Sequence, residues 1–188
     1  MSLPEPNQQI IQKSVRLMIE GLGLDPDSEA FQKTPHRVAK LYSDVLDGQF
    51  AELDNMTSFA EGVFQGAVST HHVPFYSWCA HHLLPFYGHF GIAYVPSDRN
   101  MGLSKLVRIF RHHAKVPTTQ EELTQGAVDT MMEVSQAKGA IVYVTAEHMC
   151  MSLRGVKSPG AMTTTVAYRG EFDHDIEMRN RFVQEASK

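Results

Sequence analysis

A chain of 188 residues with 43% hydrophobic content is long enough for one domain with a sizeable core, and no apolar run approaches the ~20 residues of a membrane span. A net charge of -4 gives no reason to expect general affinity for nucleic acid or for an acidic membrane. Residues 1–12 are polar and lack the basic start and apolar run of a secretory signal, so the expected compartment is cytoplasmic, where a structural disulfide is disfavoured.

In chain order, Ile10, Ile11, Val15, Met18 and Leu22 recur at helical spacing and predict a helix over 7–22, stopped by Gly21 and Gly23. Asp25-Pro26-Asp27-Ser28 begins a second helix over roughly 28–47, with Phe31, Val38, Leu41, Tyr42, Val45 and Leu46 as its buried side. Pro35 marks a break, with the better helix after it, and Gly48 ends it. Residues 49–66 carry weak periodicity. From 68 the character changes: Val73, Phe75 and Ser77 alternate as in a strand, and Phe86 to Pro96 reads as a second strand in which Gly88 and Gly91 allow close approach or a bulge. Pro96 to Asn100 is turn chemistry. Leu103, Leu106, Val107 and Phe110 mark a helix over 103–113, and Thr119 to Gln136 is another, with Glu121 and Glu122 in its first turn. Lys138-Gly139 stops it. Residues 140–146 and 163–168 read as strands, and 174–187 as a C-terminal helix. The order predicts an α+β fold: an N-terminal helical region over 1–66, then one compact unit over 67–188 with a four-stranded antiparallel sheet and helices on one face. Such a sheet leaves edges that intersubunit pairing into a ring would cover.

Both cysteines stand in histidine-bearing motifs, Cys79-Ala80-His81-His82 and His148-Met149-Cys150, about seventy residues apart. Each alone offers too few ligands for a stable metal site. Together they offer two thiolates and up to three imidazoles, which suits Zn²⁺, and three protein ligands would leave the open fourth position of a catalytic zinc. The bland alternative is an inert buried thiol, the usual fate of a free cysteine. A second cluster, Lys105, Arg108, Arg111, His112, His113 and Lys115, suits a compact anion such as a polyphosphate, or is simply a solvated helix face.

Four segments stand in order: Thr34-Pro35-His36-Arg37-Val38-Ala39-Lys40, Cys79-Ala80-His81-His82, Gly102-Leu103-Ser104-Lys105-Leu106-Val107-Arg108-Ile109, and 148–156 with His148, Cys150 and Arg154. With Gln120-Glu121 and the Thr163-Thr164-Thr165 strand, this set closely resembles GTP cyclohydrolase I of the tunnelling fold, over about residues 30–172. The resemblance implies zinc ligands at Cys79, His82 and Cys150. It places the acid that protonates the purine ring at His148 and a second active-site histidine at His81. The guanine-binding carboxylate falls at Glu121, beside Gln120. The triphosphate cradle falls at Lys105, Arg108 and Arg154 with Ser104 nearby, with Arg37 and Lys40 as further candidates.

The implied reaction is attack of zinc-activated water on C8 of GTP, ring opening, loss of formate, rearrangement of the ribose and closure to 7,8-dihydroneopterin triphosphate. Ser104 and His81 would help in the sugar steps. The family builds its sites between subunits of a ring, commonly a decamer. The chemistry suits the residue types. Zinc lowers the pKa of bound water, histidine is the near-neutral acid, and a carboxylate matches the N1–H and N2–H edge that adenine lacks. Blander roles stand beside these: a structural His148, Glu121 serving only its helix dipole, Ser104 as an N-cap. His71, His72, His89, His112 and His113 are read as surface or interface residues.

Three positions depart from the family pattern: Ala80 where a Glu is usual, Ala161-Met162-Thr163 for a Ser-Ala-Thr run, and Lys115-Val116 for a basic pair. Ala80 removes a carboxylate from the zinc neighbourhood, where outer partners tune ligand orientation. Two alternatives follow: a variant that stops at the ring-opened formamide, and a protein that binds a purine or pterin without turnover.

Overall fold

The computed structural model describes residues 7–47, 53 and 56–188. Gly48, expected to end the second helix, lies outside them. Contacts divide the chain into two compact units, 1–51 and 52–188.

The first unit is a helix pair. Helix α1 (Gln8–Gly21) is capped by the Asn7 side chain, which accepts from the Ile10 N–H. Its Arg16 forms a bidentate pair with Asp27 at 2.9 and 2.6 Å. Helix α2 (Thr34–Val45) is the better part of the helix expected over 28–47 and has Pro35 in its first turn, where a missing N–H costs nothing; residues 28–33 form turns and a bend instead of helix.

In the second unit β1 (Ser58–Phe59) pairs with β4 (Asn100–Met101), which ties the 56–66 segment, expected within the N-terminal helical region, to this unit. Strands β2 (Val68–Cys79), β3 (Pro85–Val95), β6 (Gly139–His148) and β7 (Met162–Gly170) form the four expected antiparallel neighbours. A fifth strand, β5 (Pro117–Thr118), adds a short parallel edge to β2 at Trp78 and Cys79, so the sheet order is β5-β2-β3-β6-β7. Two-residue strands carry no readable alternation, which is why β1, β4 and β5 escape sequence analysis.

Helices α3 (Leu103–Ala114) and α4 (Gln120–Ser135) cover one sheet face. There Phe110 stacks on Phe90 with ring centroids 3.7 Å apart, and Phe75 meets both edge-on. The short α5 (Met149–Ser152) follows β6 directly. Helices α6 (Glu171–His174) and α7 (Ile176–Ala186) pack on the opposite face against Ala93, Val95, Ile141 and Tyr143. The expectation of helices on one face is thus corrected. β3 and β6 are apolar at successive positions, as strands covered on both sides are.

Gly88 and Gly91 both serve close approach. A Cβ on Gly88 would lie 2.0 Å from the Thr145 carbonyl oxygen, and one on Gly91 3.0 Å from Ala186 of α7. The irregularity lies instead in β2, between Thr70 and Val73, where His72 takes a positive φ of 55°. His113, expected at a surface or interface, is half-buried within the chain, with Gly126 packed against its ring and its Nε2 2.8 Å from Thr130 Oγ1. Among the described residues no helix is long and apolar enough to cross a membrane.

Candidate metal centre and active site

The β2–β3 connection places the first cluster. The Leu83 N–H donates to the Cys79 carbonyl at 2.8 Å, and the Ala80 N–H to the Thr118 carbonyl at 3.0 Å, so a tight turn presents His81 and His82 beside Cys79. Leu83 closes it with a positive φ of 51°. Strand β6 brings the second cluster alongside through the cross-strand pair Phe86↔His148.

The ligand atoms of Cys79, His82 and Cys150 all lie within 4.8 Å of one another. Both cysteines are thiols. Cys79 Sγ lies 3.9 Å from His82 Nδ1 and equally far from His81 Nδ1. Tetrahedral zinc with ordinary bond lengths needs sulfur–nitrogen separations of about 3.6 Å, so the set fits that ion with one position open. Burial, then the neighbouring Cys79 sulfur, pushes the Cys150 thiol pKa up. A cation at this place would reverse that logic, since a coordinating thiol is deprotonated. Arg154 reaches the cluster from the β6–β7 connection, its Nη1 2.9 Å from His82 Nε2. A guanidinium only donates, so here Nε2 accepts.

His148 closes β6 and stacks on Phe86 with centroids 4.6 Å apart and planes 4° from parallel. Its Nε2 lies 2.8 Å from Gln120 Oε1. Gln120, first residue of α4, is 1% exposed. Its amide nitrogen donates to the Thr163 carbonyl at 3.0 Å, to Thr165 Oγ1 at 3.1 Å and to the Val144 carbonyl at 3.3 Å. With the NH₂ group so engaged, Oε1 must face His148. The His148 Nε2 therefore donates, and Nδ1 is left with its lone pair. Burial lowers the His148 pKa, and the Glu121 charge opposes that. The sequence places Gln120 beside the carboxylate; its fixing of the His148 ring, and the Phe86 stack, are not legible there.

Thr119 caps α4 with Glu122 in a capping box, which leaves Glu121 exposed without a hydrogen bond or ion pair to any described residue. Gly102, not Ser104, is the N-cap of α3; Ser104 is exposed on its first turn, and Arg108 is exposed one turn on. Lys105 is only 7% exposed yet has no ion pair with a described residue. Lysine is seldom buried unless paired, so this ammonium suits an anion from elsewhere. No hydrogen bond joins Ser104, Lys105 or Arg108 to the cysteine cluster. Arg37 and Lys40 lie on α2 in the first unit, where Lys40 pairs with Asp44 at 2.7 Å.

Fold and site together define a mixed α+β protein with a Cys–His–Cys centre of the kind that holds a metal with one position open. The family model described as GTP cyclohydrolase I matches residues 11–187. A GTP cyclohydrolase 1 of Clostridioides difficile is 45% identical over 176 residues, covering 92% of this chain and 93% of the relative. One of Finegoldia magna is 43% identical over 176 residues, with 93% and 95% covered. One of Aquifex aeolicus is 43% identical over 181 residues, with 95% and 96% covered. The chain belongs to the GTP cyclohydrolase I family.

Proposed function

We propose that this chain is a zinc-dependent GTP cyclohydrolase I, a hydrolase that converts GTP to 7,8-dihydroneopterin triphosphate and releases C8 as formate. Its membership of the family supports the reaction. The observation that carries the reading is the Cys79–His82–Cys150 cluster beside a His148 whose ring is fixed by Gln120 and Phe86.

Cys79, His82 and Cys150 would hold the zinc, which when bound supplies a water acidic enough to attack near neutral pH. Every other role falls to side chains. With Nε2 committed to Gln120, Nδ1 is the atom that takes up a second proton, and the imidazolium so formed gives that proton to purine N7, making C8 electrophilic. Glu121 accepts from guanine N1–H and N2–H; a nucleotide without those donors would leave the carboxylate unpaired, which disfavours ATP. Lys105, Arg108 and Arg154 donate charge-assisted bonds to the triphosphate, with Arg37 as a further contributor. The Arg154 bond to His82 needs an unprotonated Nε2, so a His82 ring holding zinc through Nδ1 would carry its proton on Nε2 and would leave Arg154 free for phosphate. His81 and Ser104 assist the ribose rearrangement.

The sites form between subunits of a ring, most simply a decamer. Two observations support this. Among the described residues, the outer edges of β7 and of β2 from 68 to 77 are unpaired and Lys105 has no counter-ion. A reducing cytoplasmic compartment suits two thiols needed as ligands. Zinc analysis of the purified protein tests the metal reading: about one zinc per chain is expected, lost together with turnover in a Cys150→Ser variant. Full turnover by a zinc-free protein would overturn it. Light scattering tests the ring, which a monomeric mass would exclude.

A further inference from the structure

Two successive cross-strand pairs, Phe86↔His148 and Tyr87↔Glu147, join β3 and β6 at the site end of the sheet. Successive strand residues point to opposite faces, so His148 and Glu147 look to opposite sides. Glu147 Oε1 accepts from the Ser152 hydroxyl at 2.6 Å and from the Gly160 N–H at 3.0 Å, and Oε2 accepts from the Tyr87 hydroxyl at 3.2 Å. One carboxylate oxygen thus pins both ends of the segment 152–160, the connection that carries Arg154.

Little else shapes that segment. Gly155, Lys157 and Gly160 take positive φ values of 62°, 50° and 78°. Leu153 and Val156 are exposed, so no apolar anchor holds it. Its other ties among the described residues are four backbone bonds (Leu153 N–H to the Met149 carbonyl, Lys157 N–H to Arg154, Ser158 N–H to Met151 and Ala161 N–H to Ser158) and the bond from Arg154 itself to His82. A long flexible arginine on a loosely held loop loses much freedom when it binds a phosphate, and anchoring the loop beforehand reduces that loss.

We infer that Glu147 is a positioning residue: from the reverse face of the sheet it clamps Ser152 and Gly160 together and so sets Arg154 toward the nucleotide phosphates. This rests on the reading of Arg154 as a triphosphate ligand. It assigns to Glu147 no contact with substrate or metal.

Steady-state kinetics with GTP on the zinc-loaded protein, with zinc content measured for each variant, tests the inference. Glu147→Ala is expected to raise KM about ten-fold, with kcat within about three-fold and zinc retained. Glu147→Gln keeps an oxygen for both loop donors, and its NH₂ can donate to the Tyr87 hydroxyl, so it should restore a KM near wild type. In an Arg154→Ala background, which by itself raises KM, Glu147→Ala should add nothing further. Ser152→Ala removes one clamp bond without touching β6 and carries the test if Glu147→Ala does not fold; a KM rise of about three-fold is expected, again absent without Arg154. An unchanged KM in Glu147→Ala (or, should that variant not fold, in Ser152→Ala), or an effect that persists in the Arg154→Ala background, overturns the inference. An unchanged KM in Arg154→Ala alone overturns the underlying reading of Arg154, and the inference with it.

Discussion

Mild acid should weaken this fold in part through His113. Burial lowers the His113 pKa from the ordinary value near 6.5 to about 4, with the neighbouring His112 acting in the same direction and Asp129 against it. Asp129 is itself held by Arg169 at 2.9 Å. Well above pH 6.5 the ring is neutral in both folded and unfolded chains and contributes no pH dependence. Between 6.5 and 4 the unfolded chain takes up a proton that the folded chain refuses, so stability falls as pH falls. Integrated from pH 7.5 to 5.0, two pKa values of about 6.5 and 4 give a loss of about 2 kcal/mol. The figure is an upper one, because the ring is only partly buried. His113→Phe keeps a flat ring against Gly126 and removes the titration. Urea unfolding of both proteins at equal concentration, at pH 7.5 and 5.0, isolates the effect, since the other histidines cancel in the difference. The wild type should lose about 1–2 kcal/mol more than the variant over this range. Equal losses would refute the assignment.

Gly88→Ala places a Cβ against the Thr145 carbonyl and cannot be relieved without separating β3 from β6; a cost of at least about 3 kcal/mol is expected, seen as loss of soluble protein or a collapsed urea midpoint. Gln120→Met keeps the side-chain volume but frees the His148 ring, so kcat should fall about 100-fold while zinc content is unchanged. Removing metal with a chelator should abolish turnover, and adding Zn²⁺ should restore it.

The helix pair, the four long strands and the α3–α4 pair were legible because each carries many residues of one periodicity. What escaped has physical causes. The two-residue strands show no period. The apolar runs in β3 and β6 look the same whether one face or two are covered, so they do not reveal α7, whose Ala186 meets Gly91 on the second face. Pro35 separates the turns of 28–33 from the helix that starts there, as proline in a first turn does, and that much is legible. In the site, ligand types and spacing singled out Cys79, His82 and Cys150, since few other chemistries want those groups together. The Gln120–His148 bond and the clamp at Glu147 depend on which strands become neighbours, and one sequence does not state that.

The most direct measurement of the central claim is mass spectrometry of the zinc-loaded protein incubated with GTP. Formate together with 7,8-dihydroneopterin triphosphate is the expected result, and it would make Ala80 a tolerated departure from the family pattern. GTP left intact, or a ring-opened formamide that accumulates without formate, would contradict it.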